Sequence, residues 1–191
     1  MNNVSSLSEM VNNSIVVLTK PRVSTFEMFE RRGNLTNALV YVGVAALISG
    51  IIGLSSGLLG LLGGVISTLV GFLVFTGAVF YIGQSQGGTG TFDEVAYTFS
   101  LFAAPISVIL AVLGLLAKIP LLGCLFALVS LAVVLAQIYL GFLAVQSSMN
   151  IADRTKAAVT LVLAGVVWVV VFALIGIFTG GVALMGALLS R

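Results

Sequence analysis

The sequence predicts an all-α fold: a polytopic helical bundle that is embedded in a membrane and crosses it five times. Three observations predict this fold class. Of the 191 residues, 60% are hydrophobic and only 7% are charged. The whole stretch from Gly33 to Phe92 contains no Asp, Glu, Lys, Arg or His. All charged residues lie between or outside the apolar segments, as expected where a charge at the centre of a membrane helix costs about 3 kcal/mol.

The first 33 residues are predicted to form an amphipathic interfacial segment of two helices, with a break at Pro21. A serine followed three residues later by a glutamate has the spacing of a capping box, which marks the start of a helix. The predicted caps are Ser6 with Glu9, Ser24 with Glu27, and Gly33 at the C-terminal end. One apolar face of the first helix would be shared by Val4, Leu7, Val11, Ile15 and Leu18.

Two placements of this segment are compatible with its pattern. In one, it lies on an anionic membrane surface with its apolar face down and its basic groups toward the lipid headgroups. In the other, it packs under the bundle. The basic residues suited to the first placement are Lys20, Arg22, Arg31 and Arg32. Neither placement gives the segment a catalytic role.

Residues 34–191 are predicted to form the transmembrane domain, which begins with a helical hairpin. A single helix from Leu35 to Ile82 would be about 72 Å long, whereas the hydrocarbon core of a bilayer is about 30 Å thick. The chain must therefore turn, and the serines and glycines of residues 55–64 predict where it does so. The first two spans are predicted at residues 35–56 and 64–83.

Small residues in this hairpin recur at alternating steps of three and four, so that they share one face of each helix. Such faces let two helix backbones approach closely, and packing drives helix association in lipid. The glycines predicted to pack in this way are Gly43, Gly50, Gly53, Gly57, Gly60, Gly64 and Gly71. Two partners for this face are open: the other helix of the hairpin, or a second copy of the chain in a homodimer.

A polar, glycine-rich loop at residues 84–91 precedes the third span, which is predicted at residues 92–117. Thr91 with Glu94 repeats the capping-box spacing, so the loop is interpreted first as a helix start. No Gly-Lys-Ser/Thr ending follows the glycines, which argues against a nucleotide-binding loop. A contact with a cytoplasmic partner is the functional hypothesis for this loop and the last polar loop. The residues of this hypothesis are Gly87, Gly88, Phe92, Asp93, Glu94, Arg154 and Lys156.

Three features of the later spans are candidates for function. Pro105 removes one backbone hydrogen bond and should kink the third span, and Ser100 or Ser107 would satisfy the freed carbonyl. Gln137 is the one strongly polar side chain in the middle of the fourth span, and we expect it to hydrogen-bond across helices. Trp168 lies in the middle of the fifth span rather than at an interface, which indicates packing within the bundle.

The fourth and fifth spans are predicted at residues 120–148 and 154–178. Pro120 would occupy the first helical position of the fourth span, a position that tolerates proline. After the fifth span, Gly180 and Gly181 are predicted to interrupt the helix. Either this helix continues with a bend, or a short apolar tail lies at the membrane surface.

The chain lacks the residue types that most enzymes and metal sites use. Histidine is absent and Cys124 is the only cysteine, which excludes Cys/His metal sites, disulfides within the chain and Cys/His nucleophile pairs. Cys124 lies in an apolar segment, where we expect it to be buried. No catalytic residue, metal site or cofactor is predicted, and a net charge of +2 does not indicate nucleic-acid binding.

Five spans place the two termini on opposite sides of the membrane, and the basic residues choose between the two orientations. With the N-terminus inside, six of the eight Lys and Arg residues fall on the cytoplasmic side. They are Lys20, Arg22, Arg31, Arg32, Arg154 and Lys156, against Lys118 and Arg191 outside. We therefore expect a multi-pass protein of the cell membrane with a cytoplasmic N-terminus and a C-terminus outside.

Four short motifs follow one another along the chain. They are Lys20, Pro21 and Arg22 followed by Phe26, the Gly-Gly-x-Gly-x-Phe loop from Gly87 to Phe92, Ala104 with Pro105, and Arg154, Lys156 and Ala157. Together they resemble the Yip family, the Ypt/Rab-interacting five-span membrane proteins, and in particular its short prokaryotic members. The resemblance implies five helices, a cytosolic N-terminus and a C-terminus outside.

The resemblance also links eukaryotic relatives to small GTPases, vesicle traffic and membrane shaping. This chain lacks the long cytosolic N-terminal region and the Asp-Leu-Tyr-Gly-Pro-type motif of those relatives, which argues against a small GTPase as its partner. The partners that we expect are the lipid bilayer and either other membrane-protein subunits or a second copy of the chain.

Two functions from different classes fit these observations. The first is a non-enzymatic membrane protein that binds helices, lipids or a partner complex, as in membrane organisation or an accessory subunit. Its basis is the set of glycine faces together with the lack of catalytic groups. The alternative is an uncoupled transporter of small molecules or lipids, based on Pro105 and on the polar residues Gln137, Thr98 and Ser100. Ion coupling is disfavoured because the spans lack acidic and basic side chains.

Overall fold

The computed structural model describes residues 6–54 and 57–189, without the side chains of residue 59 and residues 178–189. Within these residues the secondary structure is helical and contains no strand. The helices in chain order are α1 (Leu7–Thr19), α2 (Val23–Glu27), α3 (Leu35–Gly53), α4 (Leu58–Ser85), α5 (Phe92–Leu116), α6 (Gly123–Ser148) and α7 (Arg154–Leu189).

Helices α3 to α7 are each long and apolar enough to cross a membrane, which confirms the predicted fold class. The helices α1 and α2 and the loops after α4 and α6 lie at one end of the bundle. We call it the charged end, because twelve of the fourteen charged residues belong to it. The loops after α3 and α5 lie at the opposite end, which we call the far end.

The hairpin of α3 and α4 is held together through glycines. A Cβ placed on Gly50 would lie 2.5 Å from the Cγ2 atom of Val65. A Cβ on Gly53 would lie 2.6 Å from the carbonyl oxygen of Gly60, and Gly64 lies against Gly50. Larger side chains at these positions would push the two helices apart. These glycines are thus in contact within one chain.

The remaining glycines of the predicted set have other surroundings. No heavy atom of the described residues lies within 4 Å of a Cβ placed on Gly43. Gly57 forms the hairpin turn with a φ of 84°, a conformation that glycine adopts without strain. Gly71 faces Trp168 of α7 rather than α3. The sequence spacing therefore groups together glycines that serve three different purposes.

The hairpin turn is shorter than predicted. Helix α4 begins at Leu58 instead of residue 64, because Gly60, Gly63 and Gly64 continue the helix instead of forming the turn. Residues 55 and 56, which the prediction places at the end of the first span, lie outside the described residues.

The starts of α5 and α6 differ in how well the sequence predicts them. The hydroxyl of Thr91 accepts from the Glu94 N–H at 3.3 Å, and the Glu94 carboxylate accepts from the Thr91 N–H at 2.8 Å, so the capping box is confirmed. Pro120, in contrast, lies in the turn before α6. Leu121 has a φ of 71°, which interrupts the helix after the proline, and α6 starts at Gly123.

Helix α7 extends from Arg154 to Leu189, and its 36 residues make it about 54 Å long. The Asp153 carboxylate accepts from the Thr155 N–H at 2.8 Å at its start. Gly180 and Gly181 lie within the helix and do not interrupt it. Of the two predicted alternatives, the continuation of the fifth span as a helix is therefore the one observed. Its length exceeds the hydrocarbon thickness of a bilayer, which requires tilt or projection into the headgroup region.

Helices α1 and α2 pack across the charged end, against α5 and α6 respectively. The hydroxyl of Ser6 accepts from the Glu9 N–H at 3.2 Å, as predicted. The buried face of α1 contains Met10 and Val17. Of the predicted apolar face, Leu7, Val11 and Ile15 are exposed, Leu18 is partly buried, and Val4 lies outside the described residues. The segment thus packs under the bundle through a different face from the predicted one.

Two predicted caps in this segment are wrong. Ser24 lies inside α2, whose N-cap is Arg22 without a side-chain hydrogen bond. Gly33 does not adopt the left-handed conformation of a helix cap. It lies directly against the ring of Tyr97, which leaves no room for a Cβ. Glycine is therefore required there for close packing and not for the backbone conformation.

The core occupies the charged half, the half of the bundle next to the charged end. The largest fully buried side chains lie within about 15 Å of that end, as judged from a rise of 1.5 Å per residue. They include Phe26, Tyr97, Leu101, Phe102, Val145 and Met149. In the other half, the far half, no residue from 107 to 139 is buried. Cys124 belongs to this stretch and is exposed, contrary to expectation.

Candidate functional site

A cavity of about 830 Å³ lies between α4, α5, α6 and α7. Its volume is typical of small-molecule binding sites. The walls are mainly aromatic and aliphatic, and include Phe72, Phe75, Phe99, Phe102, Leu161 and Phe172. The lining residues lie about 10 to 27 Å from the charged end, which corresponds to the hydrocarbon depth of a bilayer.

Two polar side chains in the cavity wall have hydrogens to donate. Gln137, predicted to hydrogen-bond across helices, has no hydrogen-bond partner among the described residues. Trp168 stacks on Phe172 with ring centroids 4.5 Å apart. A Cβ placed on Gly71 would lie 3.1 Å from the Trp168 Nε1 atom, so the indole edge lies over this glycine.

The hydroxyl groups in the wall are satisfied within their own helices. Thr68 donates to the Gly64 carbonyl at 2.8 Å, and Thr76 donates to the Phe72 carbonyl at 2.7 Å. Ser107 bonds in the same way within α5. Because a hydroxyl has a single hydrogen, these groups can only accept from a ligand.

Pro105 lies in α5 between the cavity-lining residues Ala103 and Ser107. A proline at this position frees the carbonyl of Leu101. Ser100 and Ser107 each donate to the carbonyl three residues earlier, at 2.7 and 2.8 Å. Neither of them satisfies Leu101, so that part of the prediction is wrong.

The exposure of the wall residues indicates that the cavity opens sideways between α6 and α7. The rim is formed by exposed aliphatic residues: Val134 and Ile138 on α6, Val162 and Val169 on α7. Toward the charged end the gap closes, because a Cβ placed on Gly141 would lie 3.1 Å from Leu161. The opening is thus located in the middle and far part of the bundle.

A buried carboxylate at the charged end joins α6 to the segment after α2. Glu30 is only 5% exposed, and its Oε2 atom accepts from the Ser147 hydroxyl at 2.6 Å. The Arg31 Nε atom lies 3.8 Å from the Oε1 atom of Glu30 and 3.7 Å from the Oε1 atom of Glu94. Burial raises the pKa of the Glu30 carboxyl above its ordinary value, whereas the Ser147 hydrogen bond and Arg31 lower it.

The glycine-rich loop packs onto the turn between α6 and α7. The Thr89 N–H donates to the Met149 carbonyl at 3.0 Å. A Cβ placed on Gly88 would lie 2.7 Å from the Met149 side chain, and a Cβ on Gly90 would overlap the carbonyl of Ser148. Gly87 has a φ of 92° and an open surrounding. Two of these glycines therefore allow close packing, and one forms the turn.

The other residues of the partner-contact hypothesis also have structural contacts. Phe92 packs edge-on against Phe80 with centroids 5.6 Å apart. The Asp93 carboxylate accepts from the Leu35 N–H at 3.1 Å and so joins α5 to α3. The exposed members of the set are Gly87, Asp93, Arg154 and Lys156. The contact with a partner stays a prediction.

Polar contacts attach α1 to the transmembrane helices. The Asn13 amide donates to the Tyr97 hydroxyl at 3.3 Å, and the hydroxyls of Ser14 and Tyr41 lie 2.9 Å apart. All four residues are buried. The sequence does not predict these contacts, because a polar residue on an amphipathic helix normally faces solvent.

The sequence indicates individual residues of the cavity but not the cavity itself. It predicts Gln137 as an intramembrane amide and Trp168 as a residue that packs within the bundle. The aromatic wall does not follow from the sequence, since spacing along one helix does not reveal which helices face each other. Within residues 6–54 and 57–189, no three His, Cys, Asp or Glu side chains are grouped so as to hold a metal ion.

Comparison with protein families identifies a match over most of the chain. The family model of the Yip1 domain matches residues 15–178. This range begins within α1, includes α3 to α6 and the part of α7 up to residue 178, and contains every described residue of the cavity wall. No curated protein and no solved structure matches the chain.

Proposed function

The chain belongs to the Yip1-domain family of membrane proteins, and on this premise we propose that it acts by binding a lipid inside its helical bundle rather than by catalysing a reaction. The cavity between α4, α5, α6 and α7 is the observation that carries this proposal. A lipid seated there would place the protein in the class of membrane organisers or accessory subunits.

The chemistry of the cavity wall supports an apolar ligand. None of the described lining residues is charged. At hydrocarbon depth, an ion or a charged headgroup would lose its hydration without finding a counter-charge. An acyl or isoprenoid chain has no hydration to lose on entry and makes contacts with the aromatic wall.

The sideways opening supports entry from the bilayer. The rim residues Val134 and Ile138 are 38% and 54% exposed, and Val162 and Val169 on the opposite rim are 64% and 59% exposed. In a membrane this rim borders on lipid. A ligand would therefore reach the cavity without passing through water.

Intrinsic fluorescence tests the proposal, because Trp168 is the only tryptophan and lines the cavity. The purified protein in dodecyl maltoside is titrated with small amounts of a lipid that is brominated in its acyl chains. Occupancy of the cavity predicts saturable quenching at about one lipid per chain, and mass spectrometry should find that lipid bound after gel filtration. Quenching that rises linearly without saturation would contradict a defined site.

A matched pair of glycine variants separates the cavity from the general lipid surface. Gly165 lines the cavity with no described heavy atom within 4 Å of a placed Cβ, so Gly165→Leu fills the space. Gly114 on α5 has the same open surrounding but does not line the cavity. The Gly165→Leu variant should lose both the saturable quenching and the bound lipid, and the Gly114→Leu variant should keep them.

Uncoupled transport of lipids or small molecules is the second candidate function. The observation that favours it is Pro105, which lies in α5 beside the cavity wall at a position where a helix can bend. Liposomes that contain the protein would then show faster exchange of a fluorescent lipid or solute than protein-free liposomes. Flux that equals that of protein-free liposomes, together with saturable lipid binding, would leave binding as the function.

The proposed orientation places the charged end in the cytoplasm and the C-terminus outside the cell membrane. Its support is the distribution of basic residues between the two ends. Single cysteines at Leu121, in the α5–α6 turn, and at Ser85, at the end of α4, test it in a Cys124→Ala background. A membrane-impermeant maleimide should label Leu121→Cys in intact cells and Ser85→Cys only after permeabilisation. The reverse pattern would invert the orientation.

A further inference from the structure

The donors in the cavity wall limit the chemistry of the bound lipid. Thr68, Thr76 and Ser107 already donate to carbonyls of their own helices. Gln137 and Trp168 donate to no described residue. A polar hydrogen without an acceptor is costly in hydrocarbon, where water does not replace the missing partner. The wall is therefore complementary to a ligand that carries an acceptor.

The two donors lie at a similar depth. Gln137 is about 16 Å from the charged end of α6, and Trp168 is about 21 Å from the charged end of α7, at 1.5 Å per residue. Both depths lie near the middle of a hydrocarbon layer about 30 Å thick. The acceptor must therefore be a group that a lipid can carry into the membrane centre.

A phospholipid does not meet this requirement, because its charged headgroup stays at the interface while its tails carry no acceptor to this depth. A hydrocarbon fills the cavity but leaves both donors unpaired. A neutral carbonyl oxygen on an apolar tail, as in acylglycerol esters and prenylquinones, can enter the membrane centre and can also accept hydrogen bonds from the two donors. It needs no counter-charge, and the cavity wall offers none among its described residues.

We infer that the ligand is an uncharged lipid with a carbonyl oxygen that accepts from Gln137 and Trp168. This inference rests on the proposed lipid-binding function and adds the chemical class of the ligand. Gln137 supplies two N–H hydrogens and Trp168 supplies one, so a single carbonyl with two lone pairs can accept from both residues. The aromatic wall then surrounds the tail.

Lipid competition tests this inference on the purified full-length protein in dodecyl maltoside. The protein is mixed with equal amounts of dioleoylglycerol, a prenylquinone, dioleoylphosphatidylglycerol and squalene, and the bound lipids are quantified by mass spectrometry after gel filtration. We expect one or both carbonyl lipids to be retained in preference to the other two. The ratio of bound dioleoylglycerol to bound prenylquinone identifies which of the two carbonyl lipids fits the cavity.

Substitution of the donors gives the decisive comparison. Loss of one hydrogen bond within the membrane should lower the affinity of the protein for the carbonyl lipid by about fivefold, corresponding to about 1 kcal/mol. Gln137→Met and Trp168→Phe should each show this loss while squalene binding is unchanged. Gln146→Leu, in the same helix but away from the cavity wall, should behave as wild type.

The possible failures are distinguishable. If phosphatidylglycerol or squalene is retained in the same amount as the carbonyl lipids, or if Gln137→Met and Trp168→Phe keep the preference for the carbonyl lipids, the inference is overturned. The lipid-binding function would still stand if Gly165→Leu removes the bound lipid in the same assay. If the wild type retains no lipid at all, both proposals fail together.

Discussion

The charged half and the far half of the bundle are built from similar apolar side chains but are packed differently. In the charged half, Tyr97 and Phe102 are almost completely buried, and α1 and α2 cover the ends of the spans. In the far half, exposed leucines such as Leu128 and Leu135 cover α6, and the cavity extends into this half from a depth of about 10 Å. Similar apolar side chains thus form a closed core next to the charged end and an open site toward the far half.

The difference arises from what holds each half together. The charged half combines close glycine contacts, such as Gly90 against Ser148, with buried hydrogen bonds between distant segments, such as Ser147 to Glu30. In the far half, the hairpin of α3 and α4 is tightly packed, but α6 and α7 are not covered. A closely packed charged half together with an open far half is an arrangement that fixes a binding site while leaving it accessible to lipid.

The largest effect on stability is expected where the loop after α4 packs onto the turn between α6 and α7 at the charged end. An alanine at position 90 would place its Cβ on the Ser148 carbonyl. Gly90→Ala should therefore lower the free energy of unfolding by about 3 kcal/mol, the upper range for overpacking. The measurement is reversible unfolding in mixed micelles, followed by circular dichroism. Gly114→Ala, at an open position in the far half, should leave stability unchanged or raise it by less than about 1 kcal/mol.

Equal losses for the two alanine variants would contradict the view that specific packing is concentrated at the charged end. Equal gains would show that the loop moves away from Ser148 at little cost.

The next largest effect concerns the buried carboxylate. Ser147→Ala removes the hydroxyl that donates to Glu30 at 2.6 Å and leaves a buried acceptor unpaired. We expect a loss of about 2 kcal/mol, because hydrogen bonds to charged groups are worth more than neutral ones. Ser148→Ala is the matched control, since its hydroxyl is equally buried but donates within its own helix. If both variants lose the same amount, the link between Glu30 and α6 contributes nothing specific.

The parts of the fold that the sequence predicts are those that local spacing determines. Charge-free length predicts the spans, because any charge in hydrocarbon is costly wherever the helix lies. The capping box of Thr91 and Glu94 is confirmed because both partners belong to one helical turn. Ser24 and Glu27 have the same spacing but do not form a box, because the N-cap of α2 is Arg22, two residues before Ser24.

The parts that the sequence does not predict depend on contacts between distant segments. Gly33 matches the pattern of a helix cap, yet its purpose is contact with Tyr97 of α5. The buried face of α1 contains Asn13 and Ser14, since tyrosine hydroxyls in the spans supply their partners. The cavity follows the same rule: Gln137 is conspicuous in the sequence, but the helices that surround it are known only from the fold.

A smaller effect tests how much local capping contributes to the charged half. Thr91→Ala removes the hydroxyl that accepts from the Glu94 N–H and should cost about 1 kcal/mol, the usual value for an N-cap. Thr89→Ala is the control, because Thr89 contacts the Met149 carbonyl through its backbone N–H, which alanine keeps. Unfolding in mixed micelles again gives the measurement. A loss for Thr91→Ala as large as that for Gly90→Ala would mean that the cap, rather than glycine packing, holds the loop.

The smallest effect that we expect is a dependence of stability on pH, and its origin is Glu30. Burial raises the pKa of this carboxyl, with Glu94 and Glu27 acting in the same direction, whereas Ser147 and Arg31 lower the pKa and offset part of the effect. A raised pKa means that the folded state binds the proton more tightly than the unfolded state. This contribution to stability is therefore fully present below the ordinary pKa of 4.5 and is lost as pH rises through the folded value. Glu30→Gln should remove that part of the pH dependence, and the exposed Glu27→Gln should retain most of it. Identical pH profiles for wild type and Glu30→Gln would show that the carboxyl is as well solvated in the folded bundle as in the unfolded chain.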